Sequence, residues 1–468
     1  MNEQGPTDEE KMDEMPEIET PYYPPEEWGS LDEYWFNKLE ATGSFEDVFD
    51  KESGEQKQQY DLFMSGQIEN PNFSYPNINA EEISKVEKKV IALKEELLLK
   101  EDRLAIRECY RWRLNERIAY LRMLKSIASG DMHRFKRYSW FLYGRPQPEI
   151  FNANLYLLHK QLDLDMQSQN ADLQQAALNL NNLLPQTNQS APTPNLPDEQ
   201  SIASARENTQ QLAQNLMPSL EPNKTYGAEE IQSAFVQALQ NLRAPGWQVI
   251  IGPETRKVLG VRGASKKVLI GPKQEFSAQR LTELIAHEIG THVARRQNGE
   301  RSHLKLLSSG LDRYLPGEEG IATMREQALA NKVEEFARLD RHLAIGLVWG
   351  IDGIQRNFRQ TFEIMETFYY WQSLKSQTET TIAKNKAKEK AWDLCVRIFK
   401  GADCTTPGVC YSKDIVYHEG NINIWDVIRD DPKEMIRFNI GKYNPHNPRH
   451  LWILSTLGIS DEDLENLN

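Results

Sequence analysis

The feature that most constrains this chain is a pair of histidines, His287 and His292, five residues apart in the stretch AHEIGTHVARRQNG. On a regular helix, side chains five apart point about 140° away from each other, whereas a spacing of four leaves only about 40°. The two histidines can share one metal ion only if a π-bulge adds a residue to the turn, and such bulges concentrate at functional sites. Gly290 and Thr291 are weak helix formers and lie in that turn. The spacing therefore predicts a bulge over 288–292 if the histidines bind a metal.

The residues around this motif favour a helix that directly follows a small sheet. Ser277 is a good N-cap, and Gly299 is where the helix is predicted to end. The preceding runs GWQVIIG, KVLGVR and KKVLIGP are rich in β-branched residues and separated by turns, which predicts a small antiparallel sheet. A histidine helix after such a sheet is the setting of a zinc peptidase.

A catalytic zinc site also needs a third protein ligand and an open position for water. The segment LPGEEGIATMREQAL offers Glu318 and Glu319 at the start of the next predicted helix. Acidic residues in a first turn also stabilise the helix dipole without binding any metal. The spacing alone therefore leaves open whether Glu318, Glu319 or neither is a ligand.

The overall composition excludes several classes of protein. A formal net charge of −14 argues against a nucleic-acid binder and against electrostatic attachment to anionic lipid. The first 30 residues contain no basic start followed by an apolar run, so they do not indicate a signal peptide. The longest apolar patch, 342–354, is too short to cross a bilayer. We expect a cytoplasmic protein with reduced cysteines and no membrane or nucleic-acid partner.

Hydrophobic periodicity predicts a mostly helical α+β fold with long flanking helices. The histidine motif directly after the small sheet makes a zincin-like metallopeptidase core the expected centre of that fold. We divide the chain into an acidic disordered tail, a helical N-terminal region that packs on the core, a polar linker or flexible insert, the zinc-peptidase core, and a C-terminal loop with helices that complete the cleft. In that order the predicted segments are 1–30, 31–184, 185–225, 226–400 and 401–468.

Three finer predictions concern the elements on either side of the core. Residues 80–130 form one long helix, or two with a break near 100–102. Residues 152–184 form a Gln/Asn-rich helix. Residues 401–425, with the run GVCYSKDIVYHEG, form a loop and a strand.

Several short motifs occur in one order along residues 60–440: NPNFSY, HEIGTH, GL, EEGIA, NFRQ, CVRIFKG and YSKDIVYHEG. Together they resemble a family of zinc metallo-carboxypeptidases whose animal members include the microtubule-associated tyrosine carboxypeptidase and whose bacterial members carry a QEGLA motif. The resemblance implies His287, His292 and Glu319 as Zn²⁺ ligands and Glu288 as general base. Position 318 is Glu where bacterial members often have Gln, and the stretch 375–391 looks longer than in the animal enzymes.

A carboxypeptidase also needs a cation for the terminal carboxylate of its substrate. Arg397 in CVRIFKG is our first candidate, and Lys413 and Tyr417 in YSKDIVY follow as carboxylate or oxyanion partners. The function expected is removal of a C-terminal residue, of the Tyr or Glu type, from a peptide or protein. A different zinc amide hydrolase and a non-catalytic helical interaction protein are the alternatives, and the sequence assigns no oligomeric state.

Overall fold

The structure is a computed structural model that describes residues 30–43, 45, 48–49, 54–186, 193–252 and 259–459. The disorder predicted for 1–30 falls almost wholly outside these residues. The α-helices are α1 (Glu33–Glu40), α2 (Glu55–Met64), α3 (Ala80–Lys100), α4 (Leu104–Ser129), α5 (Met132–Tyr143), α6 (Pro148–Asp165), α7 (Ala171–Leu183), α8 (Glu199–Leu216), α9 (Ala228–Asn241), α10 (Ala278–His287), α11 (Ala294–Arg301), α12 (Leu306–Ser309), α13 (Leu315–Ala330), α14 (Leu339–Trp349), α15 (Phe358–Lys375), α16 (Thr380–Ile398), α17 (Ile415–Asp430) and α18 (Pro448–Thr456). A π-helical turn spans Glu288–Val293, and 3₁₀ turns span Ser412–Asp414 and Pro432–Asn439.

Five short strands complete the fold, which confirms a mostly helical α+β class. They are β1 (Thr225–Tyr226), β2 (Gln248–Ile251), β3 (Gly260–Arg262), β4 (Lys267–Ile270) and β5 (Phe276–Ser277). Strands β1 and β5 form an antiparallel pair, and the other three form a sheet of order β2-β4-β3.

The prediction of a purely antiparallel sheet is wrong, because β2 pairs with β4 in parallel while β3 pairs with β4 antiparallel. The central position goes to β4, whose side chains Val268 and Ile270 are fully buried. Apolar alternation identifies strands but does not specify their order or direction.

The N-terminal helices follow the predicted pattern in part. The break expected near 100–102 is confirmed, since α3 ends at Lys100 and α4 begins at Leu104. The single helix predicted for 152–184 is two helices, because Asn170 caps α7 by accepting the backbone N–H groups of Asp172 and Leu173. The preceding α6 starts earlier than predicted, with Pro148 in its first turn, where proline is well tolerated.

The segment 185–225, predicted as a polar linker or flexible insert, contains the 18-residue helix α8. Asp198 caps it by accepting the N–H of Ser201. Its buried face is narrow and consists mainly of small residues four apart: Ser201, Ala205, Thr209 and Ala213. Because these residues add little hydrophobicity to the segment, the sequence pattern did not indicate a helix. This helix reaches the histidine motif, since a Cβ added to Gly290 would lie 3.1 Å from Leu212.

The histidine helix begins as predicted, with Ser277 accepting the N–H of Arg280. It does not end at Gly299, because α11 continues to Arg301. A Cβ on Gly299 would lie 2.3 Å from the backbone nitrogen of Ser308. Gly299 therefore permits a close approach of the chain around α12 and does not terminate the helix.

The strand predicted within 401–425 is also wrong: DIVYHEG begins helix α17 after a 3₁₀ turn. Helix α17 packs against α13 at two glycines, Gly420 on α17 and Gly320 on α13. A Cβ on Gly320 would lie 2.3 Å from Gly420 O, and one on Gly420 would lie 2.2 Å from Pro316 O. The two helices thus meet backbone to backbone, which places the EEG and YHEG motifs side by side.

Among the described residues, no helix is both long and apolar enough to cross a membrane. All four cysteines are free and buried.

We expect Gly320→Ala to lower the free energy of unfolding by about 1–3 kcal/mol, because the added methyl group overpacks a backbone contact that cannot move without separating two helices. Urea denaturation followed by circular dichroism measures the change. Gly263→Ala is the matched control, since a Cβ there meets no atom within 4 Å. Equal stability of the two variants would contradict the close helix crossing.

Candidate metal centre

The predicted bulge is confirmed in the histidine motif. Helix α10 passes into the π-helical turn Glu288–Val293, and the N–H of Ala294 donates to Ile289 O, five residues back. The imidazole centroids of His287 and His292 are 5.0 Å apart. One potential ligand atom from each of His287, Glu288 and His292 lies within 4.8 Å of the others. The widened turn therefore brings the five-spaced histidines to one face of the helix.

Helix α13 runs antiparallel to this turn and supplies one carboxylate to each histidine. His292 Nδ1 donates to Glu318 Oε1 at 2.9 Å. His287 Nδ1 lies 2.5 Å from Glu326 Oε1, and Arg280 holds the other oxygen of that carboxylate at 2.6 Å. Because each Nδ1 faces a carboxylate, Nε2 is the ring nitrogen left for a metal. Such carboxylate–imidazole pairs orient metal ligands and make them more basic.

The two adjacent glutamates of α13 have different surroundings. Glu318 is 1% exposed and contacts three cationic or donor groups: Arg295 Nη1 at 2.6 Å, Lys442 Nζ at 2.9 Å and His292 Nδ1. Burial alone would raise its pKa, but Lys442 and Arg295 hold the pKa well below the usual range. Glu319 instead places Oε2 3.7 Å from His292 Nε2. The geometry therefore puts Glu319 on the Nε2 side of the imidazole and Glu318 on the Nδ1 side.

The carboxylates around the histidines favour a positive charge at the site. Burial raises the pKa of Glu288. Burial would lower the pKa of His287, but contact with Glu326 and the charge of Glu288 raise it to about 9. The same ion pair brings the pKa of Glu326 to about 2 despite its burial. Two imidazoles, each with a carboxylate behind it, and the carboxylate of Glu319 form a donor set that fits Zn²⁺.

The candidate site lies in a cavity of about 700 Å³, a volume typical of small-ligand sites. Lys413 and Tyr417 line it as well, beside His287, Glu288, His292 and Glu319. Burial lowers the pKa of Lys413, and within the described residues its ammonium group has no ion-pair partner. Burial and the charge of Glu319 raise the pKa of Tyr417, so its hydroxyl stays protonated.

Arg397, our first candidate for carboxylate recognition, lies behind this lining. Its guanidinium forms an ion pair with Asp414 and contacts Tyr417 Oη at 3.3 Å. Arg341 stacks over the Tyr417 ring at 4.6 Å from its centroid. The structure thus brings Lys413 and Tyr417 into the cavity with the histidines and Glu319, while Arg397 supports Tyr417.

Sequence reasoning missed Glu326, although a signal was present. Glu319 and Glu326 are seven residues apart, which places them two turns apart on one helix face. It also missed part of the cavity wall, which comes from the N-terminal region through Arg113 and Arg117. Arg117 donates to Gly43 O at 2.6 Å, a contact between distant segments that no local pattern encodes.

Comparison with known proteins identifies one family. A sequence model described as microtubule-associated tyrosine carboxypeptidase matches residues 191–461, more than half of the chain. No curated protein and no solved structure matches.

We expect Glu326→Gln to weaken zinc binding about 10- to 100-fold, because it removes the charge that orients His287 while leaving all the proposed ligands in place. Competition with a chromophoric chelator measures the affinity. Glu363→Gln, an exposed change on α15, is the control and should bind zinc as the unaltered protein does. Equal affinity in both variants would show that Glu326 does not support a metal ligand.

Proposed function

The chain belongs to the microtubule-associated tyrosine carboxypeptidase family, and on that basis we propose that it is a zinc-dependent carboxypeptidase acting on a peptide or protein C-terminus. The proposed leaving residue is of the Tyr or Glu type, with Tyr first because the family description names it. The main structural support is that the widened turn gathers His287, Glu288 and His292 opposite Glu319, in a cavity that Lys413 also lines.

In this proposal His287, His292 and Glu319 hold Zn²⁺ within a zincin-like core. The 3.7 Å separation of Glu319 Oε2 from His292 Nε2, and the commitment of Glu318 to Arg295 and Lys442, favour Glu319 over its neighbour. A zinc ion here would lower the pKa of a bound water towards 7 and polarise the scissile carbonyl.

Glu288 is the proposed general base. Its carboxylate accepts a proton from the attacking water and later passes it to the leaving amine. Glu288 is 8% exposed and lines the cavity beside both histidines, where such a water would lie. Tyr417, whose hydroxyl remains protonated, is the proposed donor to the carbonyl oxygen as negative charge develops there.

The terminal carboxylate of the substrate requires a cation with spare donors. Lys413 satisfies this requirement better than Arg397, because the guanidinium of Arg397 is already paired with Asp414. A cavity of about 700 Å³ is large enough for the last residues of a peptide. We therefore assign the carboxylate to Lys413 and a supporting role to Arg397.

The decisive experiment combines zinc analysis with a peptide library that varies at the C-terminus, read by mass spectrometry. We expect near-stoichiometric zinc and single-residue trimming in the unaltered protein. Glu288→Gln should keep zinc but lose about 10²- to 10⁴-fold in rate, the usual contribution of a general base. Glu319→Ala should lose zinc, and Glu363→Gln should change neither property.

The two alternatives give different outcomes. Zinc without trimming of any free C-terminus would point to another zinc amide hydrolase on this scaffold. Neither zinc nor hydrolysis would leave a non-catalytic helical interaction protein, and the family relationship would then describe ancestry alone.

We expect Lys413→Met to raise KM about 10- to 100-fold for peptides with a free C-terminus, because a charge-assisted hydrogen bond to the carboxylate is lost. Steady-state kinetics with free and C-terminally amidated peptides measures the effect. Lys384→Met, an exposed change on α16, is the control. If Arg397→Met raises KM while Lys413→Met does not, carboxylate recognition returns to Arg397.

A further inference from the structure

A π-helical turn needs stabilising contacts that an ordinary helix does not. It displaces the regular hydrogen-bond ladder, as the bond from Ala294 N–H to Ile289 O shows. The sequence of the turn offers little intrinsic help, since Gly290 and Thr291 are weak helix formers in any register. The support has to come from groups that pack against the turn.

One buried side chain contacts the turn at its centre. Arg325 Nη1 donates to Gly290 O at 2.6 Å and to Thr291 Oγ1 at 2.9 Å. The Thr291 hydroxyl in turn donates to Ala286 O, five residues back, at 3.0 Å. The guanidinium and this hydroxyl together connect two backbone carbonyls of the widened turn and the helix before it, Gly290 O and Ala286 O.

The placement of Arg325 is costly, which suggests a specific purpose. The residue is fully buried, and within the part of the chain that is described no carboxylate lies at ion-pair distance from it. Its partners are a carbonyl, a hydroxyl and the amide oxygen of Asn439, which accepts from Nη2 at 2.9 Å. A buried charge without a counter-ion is unfavourable, and Nε of Arg325 has no hydrogen-bond partner among the described residues.

Arg325 also links the two helices of the site. It lies on α13 next to Glu326, which contacts His287, and seven residues after Glu318, which accepts from His292. Its hydrogen bonds therefore fix the register of the turn against the helix that carries Glu319.

We propose that Arg325 is a positioning residue: through Gly290 O and Thr291 Oγ1 it holds the widened turn and so sets His287 and His292 at the separation that one metal ion requires. This inference rests on the proposed zinc site but does not follow from it, because the ligands themselves would be the same if packing alone shaped the turn.

Two variants test the two halves of the contact. Arg325→Met removes the donors, and Thr291→Val removes the hydroxyl with almost no change in shape. We expect each to weaken zinc binding about 10- to 100-fold in chelator competition, and to alter the visible absorption of the Co²⁺-substituted protein. Thr291→Ser, which keeps the hydroxyl, should restore both properties.

The matched control is Arg356→Met. Arg356 is also buried and donates to backbone oxygens, Leu347 O at 3.0 Å and Ile354 O at 2.8 Å. Unlike Arg325 it also pairs with a carboxylate, that of Asp352 at 2.6 Å, and it does not line the cleft. Its loss should lower the melting temperature without changing zinc affinity or the cobalt spectrum. Hydrogen exchange of the metal-free proteins should show faster exchange at 288–293 in Arg325→Met and not in Arg356→Met.

Several outcomes would overturn the inference. If folded Arg325→Met and Thr291→Val bind zinc as tightly as the unaltered protein, with the same cobalt spectrum, Arg325 is only a structural residue. If Arg325→Met does not fold, the comparison of Thr291→Val with Thr291→Ser decides in the same way. Absence of zinc from the unaltered protein would instead remove the proposed function, and this inference with it.

Discussion

The pairing of the histidine turn with helix α13 is the interaction on which the rest of the site depends. Each imidazole has its own carboxylate, Glu326 for His287 and Glu318 for His292. Both carboxylates come from one helix that also carries Glu319, so the spacing of the three glutamates is set by helix geometry. Loops could not hold these groups as closely, because side chains on packed helices lose little freedom when they form further contacts.

A second contact, between the backbones of α13 and α17, extends this arrangement to the part of the cavity that Lys413 and Tyr417 line. Gly320 and Gly420 let the helices approach so closely that either Cβ would collide with the opposite chain. Lys413 and Tyr417 lie in the turn before α17 and in its first residues. The glycine crossing therefore sets how far these side chains stand from the histidines, although neither glycine bears a functional group.

The sequence predicted the centre of the site better than its surroundings. Five-residue spacing allows a shared metal only with a bulge, so the hypothesis of a metal site predicted the widened turn at His287 and His292. Glu326 was missed because its seven-residue spacing from Glu319 indicates only a shared helix face, and its contact with His287 depends on how α13 packs. The start of helix α17 was mistaken for a strand because β-branched residues such as Ile415 and Val416 favour strands, and their burial in the folded chain overrides that preference. Strand order in the mixed sheet likewise depends on packing around β4 and not on alternation.

The cavity wall combines residues that match the family with residues that lie outside the match. The proposed ligands and the base lie within the residues that match the family, whereas Arg113 and Arg117 come from helix α4, well before the match begins. The cavity is thus encoded in separate stretches of sequence that meet only after folding. A lineage can alter α4, and with it one wall of the cavity, while the residues that the widened turn gathers are inherited unchanged.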